Sequence, residues 1–206
     1  MKKNHLTVVT CLLAAAAWSC NDNNTHGRET DSTATVTPMG TDTSATGRAS
    51  TTPSTTPMNT TPLSKDDSTF VMEAAVGGML EVEAGKLAQQ NADNQRIKDF
   101  GAMMVRDHSQ ASNELKNLVA NRGVMLPDSL PADKRKHLES MQKMKGKTFD
   151  SHYISMMKDD HSKDISKFEK EGKDGKDMDI KNWASQTLPT LKKHKDSIDA
   201  IAKAKM

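Results

Sequence analysis

From residue 64 onward, apolar side chains recur every three or four positions among charged ones, which is the spacing of one face of an α-helix. Only 3 % of the residues are aromatic and 14 are methionine, a composition that suits helices packed through flexible thioethers better than it suits strands. The spacing predicts four long helices, with a shorter one between the second and the third. In chain order these are Phe70–Asn91, Asp93–Arg122, Ala132–Lys145, Phe149–Lys170 and Met178–Lys203.

The connections between these helices indicate how they pack. A very short link joins the first two, so we expect them to lie antiparallel, whereas a long crossover precedes the third long helix. Ser68 is a candidate N-cap, Gly146 is expected to end the short helix, and Pro189 either kinks the last helix or begins its second half. We therefore predict an all-α, ferritin-like four-helix bundle over residues 64–206, with an additional short crossover helix.

The N-terminus has the pattern of a signal peptide rather than of a folded element. Lys2 and Lys3 precede an apolar run from Leu6 to Ala17, which is too short to span a membrane permanently. Cys20 directly follows the expected cleavage site, which resembles the lipobox of bacterial lipoproteins. We predict a lipoprotein signal peptide over residues 1–19 and a lipid on Cys20. Cleavage as an ordinary secretory peptide is the alternative.

The predicted lipid sets the expected location and partner of the chain. Acyl chains on Cys20 would anchor the protein to a membrane. We expect an exported protein of the cell envelope, held at the outer membrane and facing the periplasm. Residues 20–63 are rich in Thr, Ser and Pro and lack an apolar spacing, which predicts a disordered tether ahead of the bundle.

Cysteine and charge exclude several functions. Because Cys11 lies in the predicted signal peptide and Cys20 would carry the lipid, the bundle itself has no thiol. Disulfides, cysteine-ligated metal clusters and thiol catalysis are therefore excluded there. The formal net charge of +2 comes from acids and bases that alternate along the chain, so no basic stripe is available to follow nucleic acid.

Three histidines occupy positions where apolar residues are expected. At 100° per residue, His108, His161 and His194 each lie within the apolar face of a different long helix, near its midpoint. A bundle would bring the three rings to a similar level, where one metal ion could reach all of them. Imidazole ligands suit zinc, copper or iron. The alternative is a buried hydrogen-bonded network of histidine and carboxylate without a metal.

Carboxylates near these histidines complete the predicted site. Glu83 lies in the bulky apolar stripe of the first helix, whereas Glu81 lies in a stripe of small residues, and helical phase alone leaves both open as the fourth ligand. Asp107 and Asp160 precede two of the histidines and are candidates for orienting a ring from outside the ligand shell. Met104 and Met157 lie one turn before a histidine, where they either fill the core or offer a soft ligand to copper.

Several strings resemble one protein family in order and spacing. The chain is similar to exported bacterial proteins of the domain of unknown function 4142 family, often described as outer membrane proteins. The resemblance covers residues 64–203 and implies a ferritin-like bundle, and it places the characteristic acid of the first helix at Glu81. The strings are GGMLEVE at 77–83, MVRDHS at 104–109, Phe149-Asp150 with Tyr153, Asp160-His161, and Leu188-Pro189 followed by His194.

The pattern favours a binding or structural role over catalysis. Di-iron oxidase bundles take a Glu-x-x-His pair from each of two helices, and that spacing does not occur in the sequence. Ser109 and Ser162 directly follow histidines, and on a helix neighbouring side chains point about 100° apart. We predict a non-enzymatic envelope protein that binds a transition metal in metal handling or envelope stress. The alternative is a structural or protein-interaction module, although no motif identifies its protein partner.

Overall fold

The computed structural model describes residues 59–205. The predicted signal peptide, the predicted lipid at Cys20 and the predicted tether up to residue 58 lie outside the described residues. Within residues 59–205 every regular element is a helix, which confirms the predicted all-α bundle, and none of these helices is long and apolar enough to cross a membrane. The helices are α1 (Lys65–Asn91), α2 (Gln95–Val119), α3 (Ala132–Gln142), α4 (Gly146–Asp174) and α5 (Met178–Lys205).

Several of the predicted helix ends were wrong, and two of the errors have a clear physical cause. α1 begins well before Phe70 because the Ser64 side chain accepts a hydrogen bond from the backbone N–H of Asp67 at 3.1 Å, which makes Ser64 the N-cap. Ser68 therefore lies inside the helix. Gly146, whose φ is +58°, is the first residue of α4 rather than the end of α3. The left-handed conformation serves the turn between the two helices, and glycine adopts it without strain.

Two buried aspartates show how the helices run. Asp150, near the start of α4, accepts hydrogen bonds from the backbone N–H groups of Asp93 and the residue after it, at 3.1 and 3.3 Å. Asp67, in the first turn of α1, accepts from the N–H groups of Lys176 and Asp177, at 3.0 and 3.1 Å. The end of α1 thus lies beside the start of α4, so these two helices are antiparallel. Residues 120–145 must then cross the length of the bundle, as in ferritin-like topology.

A buried arginine closes the opposite end of the bundle. Arg122, just after α2, is 1 % exposed and forms a bidentate ion pair with Asp177, just before α5. Its Nε also donates to the carbonyl oxygen of Thr61 at 3.0 Å, and the Asn59 side chain donates to Asp179 at 2.9 Å. These contacts make α2 and α5 antiparallel and hold residues 59–61 against the bundle end.

The core has two apolar clusters with a polar layer between them. In each long helix one cluster ends and the other begins near the middle of the helix. Pro189 lies within α5, which continues through it. The first cluster is built around Ile97, Phe149 and Ile198, and the second around Val71, Leu115 and Ile180. The buried polar residues at the level between the clusters are Glu81, His108, His161 and His194.

Candidate metal centre

Three long helices each place one histidine in the polar layer. His108 on α2, His161 on α4 and His194 on α5 are 7 %, 0 % and 1 % exposed. The ring centroids lie 5.3 to 5.7 Å apart, and one nitrogen from each ring lies within 4.8 Å of the other two. The structure therefore brings together the three histidines that helical phase singled out.

Glycines let α1 come close enough to α2 to reach His108. A Cβ atom added to Gly85 would lie 2.6 Å from the carbonyl oxygen of Gly101, so the two backbones are in direct contact there. A Cβ on Gly78 would lie 3.2 Å from the Ser112 hydroxyl. The stripe of small residues on α1 is thus the surface that packs on α2. The carboxylate that this stripe contains enters the polar layer.

Glu81 is that carboxylate. It is 2 % exposed, with Oε2 at 3.1 Å from Nδ1 of His108 and Oε1 at 3.3 Å from Nδ1 of His161. Burial raises its pKa well above the usual value, and the negative charges of Asp164 and Asp160 add to this effect. Glu83, the alternative from helical phase, is half-exposed, and its side chain pairs instead with a neighbouring lysine at the surface.

Asp107 lies on the opposite side of the layer and contacts His194. Its Oδ2 is 2.9 Å from Nε2 of His194, and its Oδ1 accepts from Nε of Arg106 at 2.8 Å. Partial burial raises the pKa of Asp107, but the hydrogen bonds from His194 and Arg106 outweigh it and bring the pKa below its usual value. Asp107 is therefore an ionised acceptor at neutral pH.

These partners determine which ring nitrogens carry a proton. A neutral imidazole has one N–H, so a His194 that donates from Nε2 to Asp107 has a free lone pair on Nδ1. His161 donates from Nδ1 to the carbonyl oxygen of Met157 at 3.0 Å, which leaves a lone pair on its Nε2. Nε2 of His161 and Nδ1 of His194 face each other at 3.3 Å. Two lone pairs at this distance repel unless a cation lies between them.

A proton is a poor candidate for that cation. Burial lowers the pKa of His161 to about 4, and it brings the pKa of His194 below its usual value despite the hydrogen bond to Asp107, so both facing rings are neutral at pH 7. Burial also lowers the pKa of His108 to about 3. Nε2 of His108 is also buried and has no hydrogen-bond partner. Two nitrogens that bind one zinc ion at ~2.0–2.1 Å in tetrahedral geometry are about 3.4 Å apart, close to the observed spacing. The facing nitrogens of His161 and His194 therefore have the spacing of two ligands on one divalent transition metal ion, and a nitrogen of His108 lies within 4.8 Å of both.

The other predicted residues lie around this centre. Asp160 lines a cavity of about 340 Å³ on the outer side of Glu81, together with Asp164. Met104 and Met157 are fully buried members of the first apolar cluster. Their packing is that of core residues.

Sequence reasoning missed two features near the layer. The Tyr153 hydroxyl is buried without a hydrogen-bond partner, and burial together with the charge of Glu81 raises its pKa. Helical phase gave Tyr153 only as an apolar position. His137 on α3 and His152 on α4 form a second pair, with Nε2 atoms 3.4 Å apart. His152 points away from the apolar face of α4, so only the position of α3 could have revealed the pair.

The fold and the polar layer together define an all-helical bundle with a buried centre of three histidines and one glutamate. The chain belongs to the family described as domain of unknown function (DUF4142), whose family model matches residues 52–201. This confirms the resemblance drawn from the sequence. Searches of curated proteins and of solved structures gave no match.

Proposed function

We propose that the bundle binds one divalent transition metal ion through His108, His161 and His194 and serves metal handling in the bacterial envelope. The facing lone pairs of His161 and His194 carry this proposal. Three imidazoles suit zinc, copper or iron, and the bound ion would supply a Lewis acid at the level between the two apolar clusters. Because all three rings are almost fully buried, we propose holding of the ion rather than turnover of a substrate.

Glu81 and Asp107 have a supporting role in this proposal. The oxygens of Glu81 face Nδ1 of His108 and Nδ1 of His161, and Asp107 faces Nε2 of His194. Each carboxylate thus lies beside one ring nitrogen and leaves the other nitrogen of that ring for the ion. Carboxylates at such positions fix the tautomer of a ligand histidine and raise its basicity. Glu81 thus orients two ligands instead of serving as the fourth one.

Metal content tests the proposed centre. The full chain, purified in detergent without a polyhistidine tag, is expected to retain one ion per chain after exposure to a weak chelator. A variant with His108, His161 and His194 replaced by Asn should lose it, while a variant with His26→Asn, outside the described residues, should keep it. Circular dichroism shows whether each variant remains helical. A native chain that stays metal-free after refilling with zinc, copper and iron would favour a metal-free hydrogen-bonded module.

We also propose that the protein is exported and anchored in the envelope by a lipid on Cys20. The support is the sequence alone, namely the short apolar run and the cysteine after its small-residue end. Growth of expressing bacteria with a fatty-acid analogue should label the chain, and Cys20→Ala should remove the label. Cys11→Ala is the matched control and should leave labelling unchanged. Equal labelling of the Cys20→Ala variant and the native chain would refute the anchor.

A further inference from the structure

The histidine pair outside the buried centre has the spacing of a metal site. Nε2 of His137 lies 3.4 Å from Nε2 of His152, and the ring planes are tilted by 38° with centroids 5.1 Å apart. Both residues are half-buried, and both line a groove at the surface. The same separation is expected for two nitrogens on one tetrahedral ion, about 3.4 Å.

The surroundings of the pair add further ligand types. A groove of about 420 Å³ opens beside the two rings, between α1, α3 and α4. On α4, His152 is followed after four, seven and eight residues by Met156, Asp159 and Asp160, which therefore share one face of the helix. All three line the groove, as does Asp133 from α3. Thioether and carboxylate groups thus stand within the same groove as two imidazoles.

This groove adjoins the cavity outside the buried centre. The two cavities share Leu80, Asp160 and two lysines, Lys134 and Lys163. The second cavity continues past Asp164 to Glu81, which contacts His161. Asp160 at the shared wall and Asp164 beyond it, both of which interact electrostatically with Lys163, lead from the surface pair toward Glu81 at the back of the centre.

We propose that His137 and His152 form a second metal site, which takes up a divalent transition metal ion at the surface and passes it along this groove to the buried centre. Binding at the pair stands on the geometry of the pair itself. Only the destination of the ion rests on the proposed function.

Zinc titration of the full chain, followed by NMR signals of the histidine rings, tests both parts. The rings of His137 and His152 are expected to respond first, within the mixing time, and those of His161 and His194 more slowly. A variant with His137→Asn and His152→Asn should fill the centre to the same final level but at least ~10-fold more slowly, the lower end of the cost of losing a residue that supports a metal site. His26→Asn is the matched control and should fill at the native rate.

The outcomes separate the two proposals. Rings of His137 and His152 that stay unchanged in excess zinc, or equal filling rates in the pair variant and the native chain, would overturn the inference while the centre could still bind. Zinc at the pair with none at the centre would overturn the proposed function and the transfer, and would leave the surface site in place. The ring signals are read in the native chain alone, so that part of the test does not depend on the folding of a variant.

Discussion

Replacement of Glu81 by glutamine changes the charge of the centre with almost no change of shape. Oε2 of Glu81 lies 3.1 Å from Nδ1 of His108, and Oε1 lies 3.3 Å from Nδ1 of His161, whose N–H donates to the Met157 carbonyl. Glutamine has one oxygen acceptor, and its amide group can only donate. In Glu81→Gln, one of the two rings must therefore face an N–H. We expect this to be His108, because His161 still has the Met157 carbonyl as an acceptor.

The size of the effect follows from that loss. A His108 ring that accepts at Nδ1 carries its proton on Nε2, which removes a lone pair from the proposed ligand set. Loss of one charge-assisted hydrogen bond costs ~1.5–3 kcal/mol, and loss of a residue that orients a ligand lowers metal affinity ~10- to 100-fold. We expect Glu81→Gln to weaken binding of zinc by roughly this factor, 10- to 100-fold.

Although Glu81→Gln should weaken metal binding, it should not lower the free energy of unfolding of the metal-free protein. The folded-state pKa of Glu81 lies above its unfolded value, so the free energy of unfolding of the metal-free chain falls as pH rises toward the folded pKa. Glutamine does not ionise, so in Glu81→Gln this fall in the free energy of unfolding with pH should disappear. Metal-free Glu81→Gln should therefore be at least as stable as the native chain at pH 7 and above.

Calorimetric titration with zinc and thermal unfolding of the metal-free forms measure both effects on the full chain. At a pH below the raised pKa of Glu81, binding of the ion should also release the proton of this carboxyl, which titration in two buffers of different ionisation enthalpy detects. Glu83→Gln is the matched control, because that side chain is half-exposed on the same helix, and it should change neither quantity. Unchanged zinc affinity in Glu81→Gln would refute the supporting role of this carboxylate.

Three further predictions concern stability. Gly101→Ala would put a Cβ atom 2.7 Å from the carbonyl oxygen of Gly85. The cost of overpacking, ~1–3 kcal/mol, should exceed the ~1 kcal/mol gain in helix propensity and destabilise the fold. A midpoint of urea unfolding at or above the native one would contradict this. Burial and a hydrogen bond to Asp67 raise the pKa of Glu171 from 4.5 to about 7, so the stability that Glu171 contributes should be lost as pH rises through this interval. Glu171→Gln should flatten the dependence of the free energy of unfolding on pH, and the same pH dependence in variant and native chain would count against the argument. Arg122→Met should lower the free energy of unfolding by ~3–5 kcal/mol because it leaves the Asp177 carboxylate without its buried partner. A loss below ~1 kcal/mol in urea unfolding would refute this by showing that water replaces the arginine.

The buried histidines could be predicted because helical phase is a local property. Residues that share a face of a long helix are fixed by the 100° rotation per residue, whatever the helix packs against. His108, His161 and His194 interrupt apolar faces, and burial of a polar ring without partners is costly. Their meeting at one level followed from their position near the middle of each helix.

The identity of the buried carboxylate could not be predicted from phase. Bulky residues mark the face of Glu83, but the closest helix contact is made where side chains are smallest, at Gly85 and Gly101. That contact turns Glu81 inward. Among the sequence observations, only the family resemblance favoured Glu81 over Glu83. Helix ends were uncertain for a similar reason, since a glycine such as Gly146 can end one helix or begin the next.

The pair of His137 and His152 was beyond the reach of sequence reasoning. Each ring, taken alone, looked like a surface residue. Their contact depends on where the crossover places α3, which packs on α1 and brings His137 beside α4, and that placement is decided by tertiary packing rather than by the local pattern.

The contacts of residues 59–61 with the end of the bundle have a consequence for a mechanical load on the chain. A pull on the chain ahead of residue 59 would reach the contacts of Asn59 and Thr61 with the end of the bundle before it reached the first turn of α1. These contacts are two hydrogen bonds, and the one to Thr61 comes from a guanidinium whose other nitrogens stay paired with Asp177. Both hydrogen bonds would have to break before the load reached α1 and the glutamate that it carries.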